Sequence, residues 1–170
     1  MKAILHCDNK WGIGKKNDLM FSLPKDMAFF REKTLGNAVV MGSNTLLSFP
    51  GGRPLKNRRN IVLWPGGDKN RAAEMGYEMY ETLEDLFDGL KKINDTEIFV
   101  IGGAMMYRTM LPYCDEVLVT KVDADGGAEV FFPNLDETDG WVMSEEGPPV
   151  EDNGYTVRFC TYINTRKERI

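Results

Sequence analysis

Six short apolar runs punctuate the chain: Ala3-Ile4-Leu5, Ala38-Val39-Val40-Met41, Ile61-Val62-Leu63-Trp64, Ile98-Phe99-Val100-Ile101, Val117-Leu118-Val119 and Tyr155 to Ile163. Runs of this length, rich in β-branched and aromatic residues, read as strands. Those at 38–41 and 98–101 contain no polar residue, the pattern of central strands covered on both faces. Between them, Pro24 to Thr34, Thr82 to Ile93 and Met105 to Leu111 space their apolar residues by three and four, which predicts helices. Strands alternating with helices predict an α/β fold: one domain with a mostly parallel central sheet flanked by helices. Near the C-terminus, Pro148-Pro149 and Gly154 fall between two strand-like stretches and predict an antiparallel hairpin closing one sheet edge.

A chain of 170 residues holds one such domain, here residues 1–170, and its 42% hydrophobic and 28% charged residues are those of a packed fold rather than a disordered one. The net charge of -5 has the wrong sign for a surface that grips nucleic acid or anionic lipid, so an anionic ligand must be held locally. Cys7, Cys114 and Cys160 are odd in number and in no CxxC spacing, and His6 is the only histidine, so neither a disulfide framework nor a metal site is suggested. No stretch has the length of a membrane span or the form of a signal peptide, and a cytoplasmic protein is expected. The ending Arg166-Lys167-Glu168-Arg169 reads as a solvated tail.

Three places carry candidate chemistry. Val40-Met41-Gly42-Ser43-Asn44-Thr45 and Val100-Ile101-Gly102-Gly103-Ala104-Met105 each run from a strand through glycine into a helix start. Either glycine serves turn geometry alone, or the missing Cβ atoms let a diphosphate approach free N–H groups; two such joints at the ends of parallel strands suit a dinucleotide. Ser22-Leu23-Pro24-Lys25-Asp26 has the form of a helix start with Ser22 as cap. Asp26 then reads either as dipole compensation or, with Met27, Phe29 and Phe30 beside it, as an acid on apolar surface awaiting the N–H donors of a flat heterocycle. Arg53, Lys56, Arg58 and Arg59 are either a solvated loop or a carboxylate site, for which a guanidinium fork is well shaped.

Gly12-Ile13-Gly14, Asn17-Asp18-Leu19 and Leu23-Pro24-Lys25-Asp26-Met27 resemble the N-terminal half of bacterial dihydrofolate reductases. The motifs Met41 to Thr45, Gly52 to Asn60, Val100 to Tyr107 and Phe132-Pro133 continue the resemblance in order and spacing over almost the whole chain. What it implies is an oxidoreductase that moves a hydride from NADPH to 7,8-dihydrofolate, giving 5,6,7,8-tetrahydrofolate, and that works as a monomer. Asp26 looks like the pterin-binding acid, and Met27, Phe30, Phe49, Leu55 and Ile101 like the apolar walls of the folate cleft. Arg58 looks like the arginine that pairs with the substrate's glutamate tail. Ile4, Tyr107 and Thr120 match positions at the pterin and nicotinamide end. Residues 9 to 23 resemble a loop that closes over the nicotinamide, with Leu19 at its tip and Phe21 behind it. Ile13, Gly14, Asn17, Thr45, Gly102 and Gly103 match cofactor contacts; Gly42, Ser43, Asn44, Leu63, Trp64, Ala104, Met105 and Met106 fall at the same joints.

Three departures from the family pattern stand out. Ser43 and Asn44 occupy places where a cation meets the cofactor's 2′-phosphate, Trp64 and Pro65 replace hydroxyl-bearing residues, and Met105 stands where some relatives have a base, so NADH is also a possible cofactor. His6 replaces a small residue beside both rings, and reads either as a hydrogen-bonded core histidine or as a cleft residue. Met20-Phe21 replaces Pro-Trp. Two other readings are a fold relative reducing the pyrimidine intermediate of riboflavin synthesis, whose ligand would not need both Asp26 and Arg58, and a folate-binding paralogue with little turnover.

Overall fold

Burial alternates along each strand and divides the apolar residues between two faces of one sheet. In the computed structural model, which describes residues Met1–Ile170, the strands are β1 (Lys2–Cys7), β2 (Gly12–Gly14), β3 (Ala38–Gly42), β4 (Arg59–Leu63), β5 (Glu78–Tyr80), β6 (Ile98–Gly102), β7 (Glu116–Val122), β8 (Val130–Phe131), β9 (Trp141–Glu146), β10 (Val150–Asp152) and β11 (Tyr155–Asn164). The helices are α1 (Pro24–Thr34), α2 (Ser43–Ser48), α3 (Lys69–Met75), α4 (Leu83–Leu90) and α5 (Ala104–Met110). The main sheet runs β10-β11-β7-β1-β6-β3-β4-β5, with β9 also paired to β11; β2 and β8 form a separate ribbon. Pairings from β7 through β5 are parallel, and those made by β11 are antiparallel.

Ala3, Leu5, Ala38, Val40, Ile98, Val100, Val117 and Val119 bury one face under α4 and α5, whereas Ile4, Val39, Met41, Phe99 and Leu118 bury the other, where Phe29 and Phe30 of α1 pack. Because side chains alternate along a strand, His6 and Thr120 share the α1 face with Ile4 and Leu118. They are also register partners across β1 and β7. The parallel sheet, its two unbroken central strands and the antiparallel C-terminal edge agree with the sequence pattern.

Several differences are local. The second predicted helix is shorter, ending at Leu90, where Gly89 interrupts the pattern, and the third begins one residue early at Ala104. Short α3 and β5 carry too few periodic positions to be visible in the sequence, and of α2 only the start at the glycine joint is visible; α3 is nonetheless well bounded, by Asp68, whose side chain accepts from the N–H groups of Asn70 and Arg71, and by Gly76 in the left-handed region. The C-terminal tail is not simply solvated: Lys167 Nζ reaches Asp95 at 2.7 Å and Asp115 at 2.8 Å, two carboxylates that outweigh free hydration of one cation. The three cysteines are free and buried, and burial pushes the Cys7 and Cys114 thiols up to about 12. No helix is long and apolar enough to cross a membrane.

Candidate active site

Asp26 lies in the first turn of α1, but it is not what neutralises that turn. The expected Ser22 cap is absent: Leu23 is the capping residue, without a side-chain bond, and Ser22 is exposed. The N–H groups of Lys25 and Asp26 instead donate to Oδ1 and Oδ2 of Asp152, both at 3.1 Å. A fully buried carboxylate from the C-terminal hairpin therefore answers the helix dipole, because Asp152 meets two free N–H groups at once. This also removes the dipole reading of Asp26.

The Asp26 side chain turns to the sheet. Thr120 Oγ donates to its Oδ1 at 2.6 Å, and His6 Nδ1 lies 3.1 Å from its Oδ2. All three residues are buried. No lysine or arginine pairs with the acid; the side chain facing its second oxygen is His6. Tyr107 Oη donates to the Ile4 carbonyl at 2.8 Å, and burial, followed by the Asp26 charge, holds the phenol firmly protonated. Phe21 stacks edge-on against Tyr155 and sits 6.0 Å from the His6 ring, so it closes this end with an apolar face.

Phe30, Phe49, Leu55 and Ile101 are half-buried around the apolar cluster that contains Ile4, forming a wall from the acid toward the 53–59 loop, and Met27 stands 60% exposed on the outer face of α1. The four cations of that loop have different fates. Arg59 forms a two-pronged pair with Glu78, at 2.8 Å through Nη2, and Arg53 and Lys56 are exposed. Arg58 is half-buried and has no carboxylate: Nε donates to the Lys56 carbonyl at 3.0 Å and Nη1 to Thr34 Oγ at 3.3 Å. Burial and the nearby Arg31 charge both lower its pKa, as expected of a guanidinium set in place without an anion. Asn60 shapes this loop, accepting from Leu55 N–H at 3.0 Å and donating to the carbonyls of Leu55 at 2.8 Å and Arg58 at 3.0 Å.

The two glycine joints meet. Gly42 ends β3 beside Gly102 at the end of β6, with Met41 in register with Gly102. A Cβ at Gly102 would lie 3.1 Å from Thr45 Oγ on a backbone with φ of 134°, and one at Gly42 would lie 3.4 Å from buried Met106. Neither α2 nor α5 has a side-chain cap, so first-turn N–H groups at Ser43 and Ala104 stay free beside Gly103. This cradle fits the diphosphate of a dinucleotide. Beyond it, Ser43 and Trp64 are half-buried, Asn44 is exposed and Met105 is 68% exposed. Lys69 faces Glu81 at 3.7 Å, while exposed Arg71 forms no ion pair. Leu63 and Ile13 pack partly against the core of the α4–α5 face.

The segment after β1 crosses this region. Asn17 Nδ2 donates to the Asn44 carbonyl at 3.4 Å, bridging the segment to α2, and Leu19 is 62% exposed. Buried Asp8 anchors its base, accepting from the N–H groups of Lys10 at 2.9 Å, Gly12 at 2.7 Å and Gly126 at 3.1 Å. Gly12 is obligatory there, since a Cβ would come within 2.3 Å of Ala128, and Gly14 continues the ribbon pairing with Val130. Asp8, Asn60 and Asp152 were not singled out from the sequence. Asp8 and Asn60 each stand beside a turn, a local signal that could have found them; Asp152 acts on a segment far away and leaves none.

The family model described as dihydrofolate reductase matches residues 1–164. A Bacillus subtilis dihydrofolate reductase is 38% identical over 152 residues, covering 88% of this chain and 86% of the relative. One from Staphylococcus haemolyticus is 33% identical over 168 residues, covering 98% and 96%. Among solved structures, the dihydrofolate reductase of Enterococcus faecalis complexed with NADP(H) and RAB-propyl superposes with a TM-score of 0.82 at 31% identity, covering 96% of this chain and 95% of that one.

Proposed function

The chain belongs to the dihydrofolate reductase family, and from that premise we propose that Asp26, Arg58 and the paired glycine joints carry its NADPH-dependent reduction of 7,8-dihydrofolate to 5,6,7,8-tetrahydrofolate. The observation that carries the assignment is a buried carboxylate without a cationic partner, at the inner end of an apolar wall whose other end holds a guanidinium without an anion. A ligand with a flat N–H-bearing heterocycle at one end and a carboxylate at the other complements both.

A carboxylate offers about four lone-pair sites; Thr120 and His6 take one on each Asp26 oxygen, and the remaining pair accepts from two donors on the pterin edge. Holding that edge fixes the ring and favours its protonated form, which makes the C=N bond a better hydride acceptor. Ile4, Phe21, Phe30, Phe49, Leu55 and Ile101 exclude bulk water along the ring and its linker. Arg58 donates to the tail carboxylate, its fork already oriented by Lys56 and Thr34. When bound, NADPH supplies the hydride; Gly42, Ser43, Thr45, Gly102, Gly103 and Ala104 would hold its diphosphate, with Asn17 and Leu19 covering the nicotinamide side. With no second acid beside Asp26, the proton reaches the ring through water. Membership of the family supports a monomeric, cytoplasmic enzyme. The test is dihydrofolate-dependent oxidation of NADPH followed by absorbance; a purified, folded protein that does not oxidise NADPH with dihydrofolate overturns the reading.

A further inference from the structure

His6 is the one side chain of the acid end with a polar atom left over. Nδ1 lies 3.1 Å from Asp26 Oδ2, while Nε2 is buried and has no hydrogen-bond partner. A histidine kept for packing alone has no need to face an acid, and a small residue at this place would leave no orphaned nitrogen. The groups around it define its state. Asp26 faces it from α1; Thr120, its register partner on β7, bonds the same carboxylate; Asp152 of β10 lies behind the start of α1, bonded to the Asp26 N–H; and from α5 the protonated Tyr107 phenol is tied to Ile4. Phe21 covers the ring from the loop side. A carboxylate only accepts, so Nδ1 carries the hydrogen. An imidazolium would also bury an Nε2–H without an acceptor, whereas the neutral Nδ1–H form leaves only a lone pair unmet.

We propose that His6 is a positioning residue for the reduction, a neutral donor whose Nδ1–H fixes the second oxygen of Asp26 while Thr120 fixes the first. The two donors clamp the carboxylate from the sheet side, which sets the plane in which its free lone pairs meet the pterin edge and supports its charged form. This rests on the assignment of Asp26 made above, and it adds a requirement the acid alone does not have.

The side-chain geometry supplies the test. Asn places an amide N–H where His carries Nδ1 and lacks Nε2; Gln places one near Nε2 and lacks Nδ1. The experiment compares the parent with His6→Ala, His6→Asn and His6→Gln, measuring kcat/KM for dihydrofolate against pH, with thermal unfolding recorded in parallel. Loss of a donor to a carboxylate favours its protonated form, so in His6→Ala the midpoint of the profile moves to higher pH. His6→Asn returns it toward the parent value, and His6→Gln does not. If the His6→Ala midpoint matches the parent, or Gln restores what Asn cannot, the inference is overturned while the family activity stands. Absence of NADPH oxidation in the parent itself overturns the functional assignment on which it rests. A change in unfolding temperature without a change in midpoint marks a packing role and likewise overturns it.

Discussion

The acid end of the cleft and the outer end of the cofactor site differ in how completely the protein specifies them. At the acid end, Asp26 is bonded through both oxygens, its helix start is bonded to Asp152, and the residues that do this come from β1, β7 and β10. At the opposite end, where the extra phosphate that distinguishes NADPH from NADH would lie, half-buried Ser43 and exposed Asn44 offer one hydroxyl and one amide, and the nearby cations Lys69 and Arg71 are on the surface. Burial explains the contrast. A charge out of water must be met by fixed partners or it does not stay charged, whereas a surface phosphate can be met by water, mobile side chains and backbone N–H groups.

The largest effect is expected at the enclosed end. Asp26→Asn removes the charge and one acceptor from the pterin contact, and kcat/KM for dihydrofolate should fall by about 2 to 3 kcal/mol in transition-state terms, roughly 30- to 150-fold. Turnover near that of the parent at neutral pH would break the contrast outright. Next, Arg58→Leu should weaken dihydrofolate by about 1.5 to 2 kcal/mol and leave a pterin without the glutamate tail almost unaffected. Equal losses for both ligands would remove Arg58 from its role.

A smaller change, read in stability rather than chemistry, is expected at Asp152. Asp152→Ala leaves two helix-start N–H groups without their acceptor, that of Asp26 buried, and should cost about 1 to 2 kcal/mol on denaturant unfolding; an unchanged midpoint would mean that the start of α1 does not depend on the hairpin. The smallest is expected at the open end. Ser43→Arg should raise the preference for NADPH over NADH by about 0.5 to 1 kcal/mol, roughly two- to fivefold, and the gain should shrink with added salt because the pair is exposed. A large, salt-insensitive NADPH preference already present in the parent would show that the phosphate is held somewhere more enclosed.

The sheet and the glycine joints were legible because their causes are local: unbroken apolar runs for β3 and β6, and glycine at the strand ends. Composition made Arg58 legible only as one of four cations; the family resemblance singled it out, and the fold gives the physical separation from Arg59, which Glu78 takes. The cap expected at Ser22 does not form, for a physical reason. A hydroxyl one residue too early competes with a buried carboxylate that reaches two N–H groups, and the carboxylate belongs to a strand 126 residues away. His6 stood open between two readings because the sequence places it on a strand without saying what faces that strand.

The bracket between α1 and the C-terminal hairpin also has a direction in time. Synthesis adds about 5 to 20 residues each second, so Asp152 is joined to the chain about 6 to 25 s after Asp26. Thr120, 94 residues beyond Asp26, arrives before it. As that interval closes the nascent protein carries its acid, its glycine joints and the parallel strands of its sheet, yet the start of α1 is still open. A chain that stalls before residue 150 lacks the carboxylate that closes the start of α1, the helix that carries its acid: a helix written among the first thirty-four residues is bracketed only when one of the last twenty has been read.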